Sequence, residues 1–263
     1  MKSNFVKEIY EKTAEDYDRW VIPCKKCQYM MLIESLDLKG DEIGLDVGCG
    51  PGELTRTLAQ RLDTGKVIGL DISANMVELA AEKTEKRGIN NVEFVNANYK
   101  ERDYKDKFDV CVSSYLFHWL EDPRVFLRWV RRALQDQGKL GVISPSPEWY
   151  REVQKAYHHV LDKYDVDKRE IIGKKVYQQK DIEKFFENEG FLIRSFNEFS
   201  FKEDTSIETC LRRINAKSGQ SYFRDIPENL KEEARESFME ELKNHTKKLV
   251  TTESGYIVIA TRM

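Results

Sequence analysis

Gly44-Leu45-Asp46-Val47-Gly48-Cys49-Gly50-Pro51-Gly52-Glu53-Leu54-Thr55 is an apolar run that passes through three alternating glycines into a stretch with helical spacing. Strand, glycine turn and helix in that order mark a βα unit whose turn approaches a ligand, because backbone without Cβ atoms comes closer to a bound group. The spacing is G-x-G-x-G. A dinucleotide fingerprint is G-x-G-x-x-G, with the helix start aimed at a pyrophosphate. Here Asp46 stands two residues before the first glycine. A carboxylate at that point repels a diphosphate and suits a ligand that carries an ammonium group.

The next apolar run, Val67-Ile68-Gly69-Leu70-Asp71-Ile72-Ser73, reaches an acid nineteen residues past Gly52. A carboxylate at the carboxyl end of a second strand accepts two hydrogen bonds from ribose hydroxyls, which excludes a 2′-phosphate. Ile72 is then expected to pack on the base. Adenosine that carries an amino acid and no phosphate is S-adenosylmethionine, the cofactor this pattern predicts.

Working outward, short apolar runs alternate with helical stretches between residues 40 and 145, the rhythm of a parallel sheet. Strands are expected at 42–48, 66–72, 92–98, 108–114 and 139–144, and helices at 52–62, 75–87 and 123–134. Gly88 and Gly138 are expected to stop the last two helices in left-handed conformations. Ahead of this core, 4–17 and 23–36 read as helices, the second directing Met30, Met31, Ile33 and Leu36 toward the sheet. Beyond it, helices are expected at 149–164, 181–189, 207–216 and 229–249, and strands at 192–201 and 256–262. Leu230, Ala234, Phe238 and Leu242 repeat at i, i+4 and give the last helix one apolar stripe. The expected organisation is an N-terminal cover (1–39), a cofactor-binding core (40–145), a helical cap (146–250) that lends one strand (192–201) to the sheet, and a final sheet strand (251–263).

Composition narrows the function. The 263 residues are 40% hydrophobic and 34% charged, with 14 Gly and 6 Pro, which excludes a disordered, collagen-like or low-complexity chain. A net charge of −3 and a pI near 6.0 provide no field to gather nucleic acid. Residues 151–250 carry 20 basic and 20 acidic side chains, the balance of a solvated cap. The first residues are charged where a leader needs an apolar run, and no segment approaches the ~20 apolar residues of a membrane span, so a cytoplasmic protein is expected. Five cysteines read as reduced thiols. Cys24-Lys25-Lys26-Cys27 has no second pair or nearby His to complete four ligands, so no metal site is assigned. Arg212-Arg213 and Lys247-Lys248 read as solvated charges.

Taken together, Leu45-Asp46-Val47-Gly48-Cys49-Gly50-Pro51-Gly52 and Gly69-Leu70-Asp71-Ile72-Ser73 resemble the first two motifs of class I S-adenosylmethionine-dependent methyltransferases. Phe108 to Ser114 and Leu134-Gln135-Asp136-Gln137-Gly138-Lys139-Leu140 resemble that family's fourth strand and its lead into the fifth. The resemblance implies a Rossmann-like, doubly wound α/β sheet of seven strands with the last antiparallel. It also implies cofactor contacts at Tyr17, Asp46, Gly48, Cys49, Gly50, Gly52, Asp71, Ile72, Met76, Asn98, Tyr99 and Ser114. One departure is Asn98, where many members carry an acid for the adenine amino group; its side-chain carbonyl accepts the same hydrogen bond more weakly.

The acceptor is expected to approach Ser114-Tyr115-Leu116-Phe117-His118-Trp119. The (N/D)-P-P-(Y/F/W) block of nucleic-acid N-methyltransferases is missing there, so no nucleic-acid partner is expected. The segment resembles its counterpart in the juvenile hormone acid, trans-aconitate and malonyl-carrier-protein groups, which esterify carboxylic acids, and Gln220-Ser221-Tyr222-Phe223-Arg224 is similar to the tail of the trans-aconitate group. By that resemblance Gln28 and Trp119 donate N–H groups to an acceptor carboxylate. His118 stays open between acceptor contact, general base for a phenol or carbon acid, and half-buried structural residue. The reaction expected first is methyl ester formation on a small or medium organic acid, then C- or phenol O-methylation; a non-catalytic cofactor-binding partner or regulator is the rival of another class. The oligomeric state is not encoded in any motif.

Overall fold

The computed structural model describes residues 2–165, 175–218, 223, 226–244 and 249–263. Seven strands, β1 (Ile43–Val47), β2 (Lys66–Asp71), β3 (Val92–Asn96), β4 (Phe108–Ser114), β5 (Leu134–Pro145), β6 (Phe191–Thr205) and β7 (Leu249–Arg262), form one sheet in the order β3-β2-β1-β4-β5-β7-β6. Strands β1 to β5 are parallel, and β7 runs antiparallel to both β5 and β6. The expected seven-stranded, doubly wound sheet with its last strand antiparallel is the fold observed. Strand order reverses at β1, which lies between β2 and β4, and such a switch point opens a crevice at the carboxyl ends of the strands.

Nine helices are described: α1 (Lys2–Trp20), α2 (Lys26–Glu34), α3 (Glu53–Ala59), α4 (Ala74–Lys86), α5 (Pro123–Ala133), α6 (Arg151–Lys163), α7 (Gln179–Asn188), α8 (Ile207–Ser218) and α9 (Lys231–Asn244). One face of the sheet buries Leu45, Val47 and Leu70 against Phe126 of α5 and Phe186 of α7. The other buries Val110, Val112 and Ile257 against Leu32 of α2 and Leu58 of α3. Each such fully buried side chain contributes roughly 1.5–3 kcal/mol, so the strands need cover on both faces. Alternation along β1 puts Leu45 and Val47 on the first face and leaves Gly44 and Asp46 on the second. Helices α6, α8 and α9 build their own cluster from Trp149, Tyr157, Val160, Cys210 and Phe238.

The stripe on α9 forms as its spacing requires, with Ala234, Phe238 and Leu242 buried. Four expectations are corrected. Pro23 starts a separate 3₁₀ turn (Ile22–Lys25), so α2 begins at Lys26 and its buried face is Tyr29, Leu32, Ile33 and Leu36. Met30 and Met31 therefore point outward, 39% and 36% exposed. Gly138 stops no helix: β5 starts at Leu134 directly after α5, and Gln137 takes the left-handed conformation (φ +63°) instead. Arg213 is buried, not solvated, with both guanidinium arms on Glu203 at 2.6 and 3.0 Å. Lys247-Lys248 and, Phe223 apart, the stretch 220–224 lie outside the described residues.

Candidate active site

The glycine turn is held by the next strand. Gly48 and Cys49 N–H groups donate to Leu70 O at 2.8 and 3.1 Å, and Gly50 N–H donates to Asp71 Oδ2 at 2.9 Å. Asp71 Oδ1 accepts from Ser73 N–H at 2.9 Å, and Ser73 in turn caps α4 through Met76 N–H. One carboxylate thus fixes both the loop after β1 and the loop after β2, while each oxygen retains a second lone pair for a ligand. Gly52 (φ +79°) caps α3, and a Cβ there would lie 2.8–2.9 Å from Arg56, Ala80 and Phe94. Gly50 (φ +51°) differs: a Cβ there would meet nothing within 4 Å, because the loop faces a pocket.

That pocket is a cleft open to solvent on one side, with a cavity volume of about 150 Å³. Of the predicted cofactor residues, Tyr17, Gly48, Gly50, Asp71, Ile72, Met76, Asn98, Tyr99 and Ser114 line it, and Trp119 lies on its wall. Asp46 and Cys49 line a smaller cavity of about 20 Å³ that shares Tyr17, Gly48, Gly50 and Ser114 with the first, so the two adjoin. Gly52 lines neither and serves the packing of α3.

Asp46 is fully buried. Its Oδ2 accepts a 2.7 Å hydrogen bond from Thr55, while Oδ1 has no protein partner. Burial, with the charge of Asp71 adding to it and the Thr55 hydroxyl opposing, pushes its carboxyl up to about 7. Asp71 is also raised by burial, held back by the N–H groups of Ser73, Gly50 and Ile72. Burial keeps the Tyr10, Tyr17 and Tyr115 hydroxyls neutral, with the charge of Asp71 assisting at Tyr10 and Tyr17. Tyr99, pushed up to about 12 chiefly by burial, stands edge-on to Phe126 and Trp129. Asn98 caps the 3₁₀ turn Tyr99–Glu101, its Oδ1 accepting from Lys100 N–H at 3.1 Å, so one lone pair of the predicted adenine contact is already used.

The predicted acceptor residues divide. Trp119 Nε1–H donates to the Tyr10 hydroxyl at 3.1 Å, so this N–H serves the roof of the pocket. His118 is buried at a recess of about 10 Å³ lined, among the described residues, by Tyr10, Tyr17, Lys25, Tyr115, Trp149 and Lys217. Gln28 is buried on α2 and lines none of the three cavities. Among the described residues no group of three or more His, Cys, Asp or Glu is placed to hold a metal ion.

The sequence reading missed Val6 and Tyr10, which roof the pocket from α1. Tyr10 and Tyr17 are seven apart on one helical face, a signal that was available. It also missed Lys25 and Lys217, which line the recess, and Glu253, which pairs with both; the three come from distant segments and leave no local pattern.

Known proteins of similar sequence and shape bear on this site. A malonyl-[acyl-carrier protein] O-methyltransferase of Acetivibrio thermocellus is 28% identical over 174 residues, 66% of this chain, and the match spans only 60% of that relative's length. A demethylmenaquinone methyltransferase of Listeria monocytogenes is 25% identical over 240 residues, covering 86% of this chain and 91% of the relative. The YcgJ protein of Bacillus subtilis superposes with a TM-score of 0.65 at 13% identity, over 89% of this chain and 97% of that one, a likeness of fold. No helix among the described residues is long and apolar enough to cross a membrane. The methyltransferase domain family model matches residues 38–248, which span β1 to α9 and every loop around the pocket, and the chain belongs to that family.

Proposed function

We propose that this protein transfers a methyl group from S-adenosylmethionine to a small or medium organic acceptor, in the first place a carboxylate, giving a methyl ester. The observation that supports the reading is one pocket running from Gly50 and Asp71 to Trp119 beneath α1, where cofactor and acceptor would meet. The residues fit the cofactor. Asp46 Oδ1, buried without a protein partner, suits an ammonium group, and the open space above Gly50 admits a ligand backbone. Asp71 would hold the ribose, Ile72 and Met76 the base, and Asn98 the exocyclic amine.

When bound, the cofactor supplies an electrophilic methyl on a sulfonium. That methyl would pass to an acceptor oxygen, forming C–O as C–S breaks and leaving the electron pair on sulfur. A carboxylate is ionised at neutral pH and needs no base, so the chain's own task is alignment and exclusion of water. Tyr10, Tyr17, Tyr115 and Trp119, all neutral donors with apolar faces, wall the chamber for that purpose. The O-methyltransferase relative supports the ester reading. C- or phenol O-methylation is the second reading, supported by His118, an imidazole beside the chamber that could take a proton, and by the demethylmenaquinone relative.

Incubation with methyl-labelled cofactor and a panel of organic acids, phenols and short RNAs tests this. Label in an acid that mild alkali releases supports the ester, alkali-stable label in a phenol or carbon acid supports the second reading, and labelled RNA overturns both. Cofactor binding without label in any acceptor favours a non-catalytic binding protein.

A further inference from the structure

Strand β6 forms one edge of the sheet, and its fifteen residues make it the longest strand described. From Phe196 to Thr205 it pairs with β7 without a bulge. Which of its residues turn outward follows from β7. Ser146 N–H donates to Ser254 O at 3.2 Å and Tyr150 N–H to Thr252 O at 2.7 Å, and Thr252 N–H donates to Glu152 Oε2 at 3.3 Å, so Thr252 and Ser254 turn their backbone groups to the side of β5 and α6. In an antiparallel ladder this direction alternates from one residue to the next. Thr251, Glu253 and Gly255 therefore bond to β6 at Glu203, Phe201 and Phe199, while Glu198, Ser200, Lys202 and Asp204 turn their N–H and C=O groups away from the sheet. No described residue pairs with those outward groups. Residues 200–204 are all exposed, the aromatic Phe201 at 39% among them. A long free edge of this kind is a template for another strand.

We propose that a second copy of this chain docks on that edge, β6 beside β6 across a two-fold axis at Ser200, so that two seven-stranded sheets become one. Strands related by such an axis run antiparallel, and the ladder closes only in registers that set outward-turned residues opposite one another. With the axis at Ser200, Glu198 of each copy lies opposite Lys202 of the other, which gives two identical pairs of opposite charge. Both side chains are exposed, and neither has an ion-pair partner among the described residues. On the other face, Phe201 of each copy lies beside Phe199 of the other, which extends the contact these rings make within one chain at 5.6 Å and covers the exposed ring. Neighbouring registers lose the match: an axis at Phe201 sets Glu198 opposite Asp204, and an axis at Phe199 sets Glu198 opposite Ser200 and Lys202 opposite Phe196. Opposite charges across a ladder attract and like charges repel, so the strand's complementarity to itself selects both the occupant and the register. The contact is independent of the methyl-transfer reading.

Sedimentation velocity and light scattering of the full chain, from low to high micromolar concentration, test this. A species of twice the 30.9 kDa chain mass is expected to grow in with concentration. Glu198→Lys or Lys202→Glu alone sets two like-charge pairs across the axis and is expected to weaken the dimer about tenfold or more, whereas the two exchanges together recreate both pairs and are expected to restore it to within about threefold. Ser200→Pro removes an N–H that the sheet does not use and is expected to abolish the dimer while leaving the far-ultraviolet dichroism of the monomer unchanged. A chain that stays monomeric at every concentration overturns the proposal. So does a dimer that neither single exchange weakens, or one that the double exchange leaves as weak as the single ones. The charge exchanges lie on an exposed edge and decide the matter even where the proline variant fails to fold.

Discussion

Thr55, in the first turn of α3, donates its hydroxyl to Asp46 Oδ2 at 2.7 Å and leaves the other oxygen of this buried carboxylate turned to the cavity under the glycine loop. Half of the carboxylate is satisfied by the protein and half is left for the proposed ammonium group.

That arrangement sets a pH dependence. Asp46 has its folded-state value near 7 against an ordinary 3.8, so from about pH 4 to 7 the folded chain holds a proton that the unfolded chain has released. The ligand-free protein therefore loses stability as pH rises through that window, by up to about 4 kcal/mol. Cofactor binding needs the ionised form and moves the opposite way, strengthening about tenfold between pH 6 and 8. Asp46→Asn is expected to flatten both profiles, raise the ligand-free melting temperature above pH 7 and weaken cofactor binding, as calorimetry and thermal melts at pH 5 to 8 would read.

The glycines separate binding from stability. Gly52→Ala forces a methyl to within 3 Å of Arg56, Ala80 and Phe94 at positive φ, and is expected to cost about 2–4 kcal/mol in denaturant melts. Gly50→Ala meets no protein atom and is expected to cost only about 1 kcal/mol, while its methyl enters the pocket and lowers cofactor affinity at least tenfold. Equal effects of the two on binding would show that Gly50 does not face the ligand.

Asp71 holds the two loops as well as the proposed ribose. Asp71→Ala removes acceptors from Gly50 and Ser73 N–H groups and from the sugar, and is expected to weaken the cofactor on the order of 100-fold. Asp71→Asn retains one acceptor oxygen and is expected to lose less. Titration calorimetry compares the two.

Polar contacts latch the roof to α4. Glu11 on α1 accepts from Ala74 and Asn75 N–H at 2.8 and 3.2 Å, placing an anion on the N-terminus of α4, and Asp18 pairs with Lys83 farther along. Glu11→Ala is expected to cost about 1 kcal/mol of α1 docking and to speed amide hydrogen exchange over residues 5–17 severalfold, with exchange in β1 and β4 unchanged.

The core of the fold was legible because its causes are local. Continuous apolar runs, a glycine turn and an acid at the end of β2 each act within a dozen residues, and Gly48, Gly50 and Asp71 come together wherever β1 and β2 pair, as Asp46 beside Gly69 does here. The side of a helix was less legible. Met30 and Met31 are as apolar as Leu32 and Ile33, and only the 3₁₀ turn at Pro23 decides that they face out. Arg213 is indistinguishable in sequence from its exposed neighbour Arg212, and its burial follows from Glu203 lying within reach on β6.

By itself, then, the chain's order of residues determined the sheet, its switch point and the glycine loop proposed to meet the cofactor, because backbone conformation and hydrophobic period are written in short stretches. The recess around His118 was decided only in three dimensions. Tyr10, Lys25, His118, Lys217 and Glu253 come from five segments that no period relates, and they come together only where α1 packs on α8 and α2 packs on the sheet.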